Sequence, residues 1–160
     1  MMMLNTNYIV NLSGKEANRV LNHLVNTISS KNFLSTVGLN NEIPFFICPY
    51  DITITKDMII LYKQLCKKLD QTEVNILEID LYDICLEILK DNNLLDKILK
   101  LENTMQKNKI KDTLKSVLNP EKYLVPKILE KSKVSDFNVL FIKGVGEVFP
   151  YIRSHNVLNN

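Results

Sequence analysis

Apolar residues recur every three or four positions in three stretches of the chain. This spacing predicts amphipathic helices over residues 14–30, 56–69 and 81–91. Ser13 and Glu16 form a capping box before the first helix, in which two side chains satisfy free N–H groups. The stripes of the later helices, expected to face the core, are Met58, Ile59, Tyr62, Leu65, Cys66 and Leu69 in one helix and Leu81, Ile84, Cys85, Ile88 and Leu89 in the other.

Three short apolar runs are predicted to be buried strands, because their length and their β-branched or aromatic residues favour a strand over a helix. They lie at 43–48, 74–79 and 137–143, and the third is the most apolar. Strands that alternate with helices pair in parallel through right-handed crossovers. The order of elements therefore predicts an α/β fold of three layers, with a mostly parallel sheet of at least three strands and helices on both faces.

Residues 92–135, between the second and third predicted strands, keep a helical pattern with several interruptions. Asn119 and Pro120 are typical of a helix start, since an amide can cap the helix and proline fits its first position. Pro126 should kink or restart this helix, because its ring clashes with the preceding turn. The segment is predicted to be a helical insert and not a separate domain.

The composition suits one globular domain over residues 1–160, because 46% of the residues are hydrophobic and can form a real core. Residues 1–12 lack a clear period and are predicted to be a flexible arm. The net charge is +2 and the lysines are spread along helices. This balance gives no electrostatic reason to expect broad nucleic-acid binding, so any DNA contact is expected to be indirect.

The three cysteines, Cys48, Cys66 and Cys85, each lie in an apolar pattern and form no Cys-x-x-Cys pair. They are therefore predicted to be buried structural thiols and not metal ligands. An odd number of cysteines without a signal peptide is typical of a reducing cytosol. Since no stretch approaches the roughly 20 apolar residues that span a bilayer, we expect a cytoplasmic protein without membrane contact.

The segment that follows the third predicted strand is the candidate functional site. Open α/β sheets place their sites at the carboxyl ends of buried parallel strands. We call residues 144–153 the lip, and Pro150 within it is predicted to open the last helix. The candidate residues of the lip and its flank are Gly144, Gly146, Glu147, Phe149, Pro150, Arg153 and His155.

A phosphate-binding loop is excluded by the positions of the glycines. The pattern Gly-x-x-x-x-Gly-Lys-Ser/Thr is absent, and residues 49–55, after the first predicted strand, contain no glycine for close approach to a phosphate. Gly144 and Gly146 follow a strand, but the third glycine of a dinucleotide fingerprint is missing. Pro150 also leaves a loop where such a fold would begin its helix.

Asp80 and Asp83 follow the second predicted strand, where a carboxylate can hold Mg²⁺ in nucleotide-binding folds. The favoured interpretation is structural. Asp80 would be the N-cap of helix 81–91, as Thr55 would be for helix 56–69, and Asp83 suits the positive end of the helix dipole. The two aspartates form at most a polar pocket, and no metal or other cofactor is predicted.

Glu147, Arg153 and His155 could serve acid–base chemistry, or they could pair with each other or cap helix ends. Since no nucleophile or metal cluster joins them, structure or partner contact is favoured over catalysis. A metal-dependent hydrolase or nuclease using Asp80, Glu147 and His155 stays open as an alternative. It would need these groups to converge within about 3–4 Å of a common atom.

Three blocks of the sequence resemble the BrxB family of BREX bacteriophage-exclusion proteins. The blocks lie at 33–45, 74–83 and 144–159; the resemblance spans about residues 20 to 160, and the third block, GVGEVFPYIRSHNVLN, is its most specific part. The resemblance implies a component of a phage-defence machinery that also includes a methyltransferase, a large ATPase and a PglZ-type protein of the alkaline-phosphatase superfamily.

By the same resemblance, the expected function is that of a non-catalytic assembly or adaptor subunit, acting through contact with the PglZ-type protein. The layout is similar to P-loop ATPase folds that lack the P-loop. A degenerate nucleotide-binding regulator, holding a nucleotide around Gly144 and Asp80, is the competing interpretation. The family usually continues into a further strand and a Pro-Gly turn, so this chain is expected to be a trimmed or shortened member.

Overall fold

The computed structural model describes residues 14–35 and 46–158. The chain divides into two compact units, Met1–Ile76 and Leu77–Asn160. The prediction of one domain over the whole chain stays a prediction. The arm expected at 1–12, the capping role of Ser13, and residues 43–45 of the first predicted strand all lie outside the described residues.

The first unit contains a pair of packed helices. Helix α1 (Gly14–Ile28) packs against α3 (Thr55–Leu69), and the side chain of Lys68 donates to Asn22 across the pair at 3.0 Å. Both helices were predicted from their apolar spacing, and both predictions are confirmed. Along the chain, α2 (Lys31–Leu34) and a 3₁₀ turn (Ile52–Ile54) come between α1 and α3. The buried residues of α1 and α3 are Leu21, Ile28, Met58, Leu61, Leu65 and Leu69.

Two details of α3 differ from the sequence-based expectation. Thr55 is not the N-cap: it is the first residue of the helix, and its hydroxyl donates to the carbonyl of Ile52 at 2.6 Å. The side chain that caps here is Asp51, which accepts from the N–H of Thr53 at 2.8 Å and starts the 3₁₀ turn. Ile59 was expected to belong to the apolar stripe but is 51% exposed, whereas Leu61, which was not included in the predicted stripe, is buried.

The first predicted strand is wrong in its described part. Phe46, Ile47 and Cys48 are exposed and have no regular secondary structure. The ring of Phe46 packs on that of Phe33, with 4.7 Å between centroids, so the aromatic side chain finds an apolar partner without a sheet. The exposure of Cys48 also contradicts its predicted burial, whereas Cys66 is half-buried and Cys85 is buried as predicted.

A two-stranded parallel sheet is formed by β1 (Ile76–Asp80) and β2 (Val139–Lys143). Apart from Ile76, which is the last residue of the first unit, the sheet lies in the second unit. These strands confirm the second and third predicted strands and the α/β class. A third strand and the three-layer layout are not seen among the described residues. The helices are α4 (Leu81–Asp91), α5 (Leu95–Leu101), α6 (Lys107–Val117), α7 (Val125–Lys133) and α8 (Ser154–Leu158).

The core of the second unit forms around α4. All five α4 residues that were predicted to face inward are buried, and they join residues from β1, the insert and the lip in one cluster. β2 was expected to be fully buried, but Leu140 is 38% exposed. The cluster consists of Ile79, Leu81, Ile84, Cys85, Ile88, Leu89, Leu118, Leu124, Ile128, Val148 and Ile152.

Residues 92–135, predicted to be a helical insert, contain a run of helices between the two strands. Asn119 caps the segment by accepting from the N–H of Lys122 at 2.9 Å, as predicted. A π-helical turn, Pro120–Leu124, leads into α7, so the helix restarts beside Pro126 as expected. None of the helices among the described residues is both long and apolar enough to cross a membrane.

Candidate functional site

The carboxyl end of β1 passes directly into α4 at Asp80. The Oδ1 atom of Asp80 accepts from the N–H groups of Tyr82 at 2.9 Å and Asp83 at 3.4 Å. This confirms Asp80 as the N-cap and Asp83 in the first turn of α4. The carboxylate thus occupies the free N–H groups that would receive a phosphate at this helix start. A polar pocket formed by the two aspartates stays a prediction.

Gly144, at the end of β2, lies against this capped helix start. Its φ angle is +72°, in the left-handed region that favours glycine. A Cβ atom added to Gly144 would lie 2.7 Å from Asp80 Oδ1 and 3.3 Å from the backbone nitrogen of Tyr82. Only a residue without a side chain allows this approach. The glycine therefore brings the lip onto the N-terminus of α4, where the ends of both strands meet.

Lys143 links the two strands at the same end of the sheet, and sequence reasoning did not single it out. Its Nζ atom lies 2.9 Å from Glu78 Oε1 and 3.6 Å from Asp80 Oδ2. The hydrogen bond to Glu78 raises the pKa of Lys143 above its ordinary value, and the negative charges of Glu78 and Asp80 act in the same direction. The sequence did contain a signal: Glu78 and Asp80 occupy alternate positions of β1, which places both carboxylates on one face of the strand.

The lip is a tight turn anchored by two buried side chains. The N–H of Glu147 donates to the carbonyl of Gly144 at 3.0 Å, and the N–H of Ile152 donates to that of Val148 at 3.1 Å. Val148 is 4% exposed and Ile152 is 1% exposed, and both belong to the core cluster around α4. The anchors were not among the predicted site residues, because the lip contains several apolar residues and the sequence does not show which of them are buried.

Between the two anchors the lip presents an aromatic side chain to solvent. Phe149 is 64% exposed, and the peptide bond between it and Pro150 is cis. Val145, on the other side of Gly146, is 37% exposed. Pro150 does not open a helix as predicted, because residues up to 152 form turns and α8 begins only at Ser154.

The polar candidates of the lip and its flank point to no common reaction centre. Glu147, Arg153 and His155 are all exposed, and within residues 14–35 and 46–158 no ion pair joins Glu147 to Arg153. Nor do those residues contain a group of three or more His, Cys, Asp or Glu side chains that could hold a metal ion. The convergence required for the hydrolase alternative is therefore not seen in the described part of the chain.

Cys85 follows Asp80 by five residues in the sequence, and its environment keeps its thiol protonated. Burial raises the pKa of its thiol to about 11, and the negative charge of Asp80 adds to this rise. A thiol must be deprotonated to react as a nucleophile. Cys85 is therefore a packing residue of α4.

An open depression of about 330 Å³ lies away from the lip along the C-terminal half of α4 and the π-helical turn. Its lining includes Asn92, Lys122 and Tyr123, and the ion pair of Lys127 with Asp91, at 2.8 Å, borders it. No residue of the lip lines it. The depression mixes neutral, basic and acidic groups and indicates no particular ligand.

Comparisons with known proteins agree on one family. The model of the family described as "BREX protein BrxB" matches residues 77–160. A protein named "BREX protein BrxB" from Bacillus cereus (strain H3081.97) is 30% identical over 152 residues, which cover 91% of this chain and 77% of that protein. No solved structure matches this chain.

Proposed function

Because the chain belongs to the BrxB family of the BREX phage-defence system, we propose that it is a non-catalytic assembly subunit that contacts a PglZ-type protein through the lip. The observation that carries the proposal is the exposed Phe149, held between the buried anchors Val148 and Ile152. The family match covers residues 77–160, the same span as the second compact unit, which contains the lip.

The lip has the physical properties of a protein contact surface. Binding orders the side chains at an interface, and this entropy cost is small for a segment that is already fixed. The lip is fixed by the close approach of Gly144 to α4 and by its two anchors. Aromatic side chains are enriched in the centres of protein interfaces, and the exposed ring of Phe149 is a group of this kind.

The chemistry of the surrounding groups supports a subunit without catalysis. Asp80 is engaged as a helix cap and lies 3.6 Å from Lys143, so its carboxylate serves the structure. The thiol of Cys85 is neutral at physiological pH. A cytoplasmic location belongs to the same proposal, and the three free thiols support it, since reduced cysteines are usual there.

The test is co-purification of the full chain with the PglZ-type protein of the same defence system, followed by measurement of the dissociation constant. Phe149→Ala should weaken binding about 10–100-fold, because truncation of a central aromatic anchor costs roughly 2 kcal/mol or more. Leu129→Ala is the matched control, since Leu129 is 52% exposed on α7, outside the lip. Unchanged binding by Phe149→Ala, or absence of binding by the unaltered chain, would contradict the proposal.

A further inference from the structure

Helix α3 carries apolar side chains on its solvent-facing side. The α3 outer face, defined as Lys56, Ile59, Ile60, Lys63 and Lys67, follows the spacing of one helix side, and all five residues are exposed. Ile59 is 51% exposed and Ile60 is 56% exposed. The opposite side of the helix is already used for the core. These isoleucines therefore cannot be assigned to internal packing.

Two observations mark this face as more than ordinary surface. Exposed helix positions normally carry polar residues, and isoleucine has a lower helix propensity than alanine or lysine. Ile52, in the turn just before α3, is a further apolar residue and is 85% exposed. Single exposed apolar residues need no explanation, but a group of them with a polar rim is typical of an interaction site.

The rim of the α3 outer face is positively charged. Lys56, Lys63 and Lys67 form no ion pair with another described residue. Asp57 is the single acidic residue of the helix sequence and borders the face one turn before Ile60, so the three lysines still leave the rim positive. Charge complementarity therefore requires a partner with carboxylates around an apolar centre.

We propose that the α3 outer face binds a partner protein through an acidic amphipathic segment. Its apolar side chains would cover Ile59 and Ile60, and its carboxylates would lie opposite the lysines. The lip is a separate surface in the other unit, so a subunit with both could join two proteins or hold one at two places. The inference rests on the proposed assembly role only in seeking the partner among the other BREX components.

Two other occupants fit the face less well. In a symmetric dimer the same patch meets itself, so Lys56 and Lys63 would face lysines of the second copy and repel them. A helix that lies in a membrane surface buries a wide apolar stripe. The wide stripe of α3 is buried in the protein, and the narrow pair of Ile59 and Ile60 is left for contact.

The experiment is affinity capture of the tagged full chain, co-expressed with the PglZ-type protein, the methyltransferase and the ATPase of the same system. Two double variants change the α3 outer face: Ile59→Ser with Ile60→Ser removes the apolar centre, and Lys56→Glu with Lys63→Glu reverses the rim. Each should reduce the captured amount of at least one component about tenfold, the loss typical of one interface anchor. Capture by the unaltered chain should also weaken as salt is raised, because salt screens exposed charges.

Matched controls make the same chemical changes elsewhere on the surface. Leu99→Ser with Leu101→Ser removes two exposed apolar residues of α5, which are 57% and 42% exposed. Lys109→Glu with Lys111→Glu reverses two exposed lysines of α6. These controls should capture every component normally. Far-UV circular dichroism and the thermal unfolding midpoint should match the unaltered chain in all variants. The conservative variant Ile59→Leu with Ile60→Leu keeps the apolar centre and should capture every component normally.

The outcomes separate this inference from the proposed function. Normal capture of every component by both folded α3 variants would overturn the inference, whatever Phe149→Ala does at the lip. Loss of capture in the α3 variants but not in Phe149→Ala would support the inference and contradict the role of the lip. The inference would also be overturned if these variants instead lost binding to phosphatidylglycerol vesicles or changed the oligomeric state.

Discussion

At the residue scale, Gly144 carries the strongest steric constraint in the candidate site. Gly144→Ala should lower the free energy of unfolding by about 1–3 kcal/mol, because the new methyl group would lie 2.7 Å from Asp80 Oδ1 at a φ angle of +72°. Urea denaturation measures the change. Gly146→Ala is the control, since a Cβ atom there meets nothing within 4 Å. Equal effects of the two substitutions would show that the close approach is not what fixes the lip.

Cys85 gives a prediction about pH and reactivity. Its thiol has a pKa of about 11 in the folded protein against an ordinary 9.0, so the folded state disfavours the thiolate. Its stabilising effect is full below pH 9.0 and is lost as pH rises through about 11, because only the unfolded chain ionises easily in that window. The unfolding free energy should therefore decrease from pH 9 to 11, and less so in Cys85→Ala.

The same environment predicts selective alkylation. Iodoacetamide at pH 8 should modify the exposed Cys48 in the native protein and leave the buried Cys85 unmodified. Desolvation raises the pKa of both thiols, that of Cys85 to about 11, so the greater access of Cys48 decides which thiol reacts. Mass spectrometry of peptides locates the label. Rapid modification of Cys85 without denaturant would contradict the packing described for α4.

At the element scale, the α4–α7 contact contains both ion pairs and apolar packing, and these should contribute unequally. Lys131 lies 2.9 Å from Glu87, but both side chains are 38% exposed, and such pairs contribute about 0–1 kcal/mol. Leu124, just before α7, is fully buried. Leu124→Ala should destabilise the protein by about 2–5 kcal/mol, while Lys131→Ala should cost less than about 1 kcal/mol in the same urea titration. The reverse order would show that charge and not packing fixes this helix pair.

The elements that could be predicted from the sequence are those with long periodic patterns or side-chain caps. Helix α4 was predicted with its cap and all five inward residues, because an apolar stripe and Asp80 indicate the same register. The run at 43–48 was predicted to be a buried strand from its length and apolar composition, but its described residues are exposed and form no strand. The ring of Phe46 packs on that of Phe33, and no local sequence pattern reveals a partner at this distance along the chain.

The position of the lip along the chain could be predicted from the sequence, but its contacts could not. The lip was predicted to follow β2, and it does. The role of Gly144 depends on a contact with Asp80, more than sixty residues earlier, and the link from Lys143 to Glu78 likewise joins separate strands. Contacts of this kind depend on how the strands pair. Spacing along the chain predicts which residues end a strand, but not which of their atoms meet.

At the scale of the whole molecule, the second unit has a core of its own, and this predicts that it folds alone. Every member of the cluster around α4 lies between residues 79 and 152, within the unit Leu77–Asn160 that the family match also covers. A fragment of residues 74–160, which keeps all of β1, should show a helical circular dichroism spectrum and one cooperative urea transition, because a self-contained apolar core supplies most of the stability of a small domain.

The same fragment tests whether the proposed contact belongs to this unit. Since the lip and both of its anchors lie within it, the fragment should bind the PglZ-type protein with an affinity close to that of the full chain, and Phe149→Ala should weaken binding by the same factor in both. A folded fragment that binds much more weakly would place part of the contact in the first unit. A fragment without a cooperative transition would show that the core of the second unit is insufficient by itself, so that the two units depend on each other for stability.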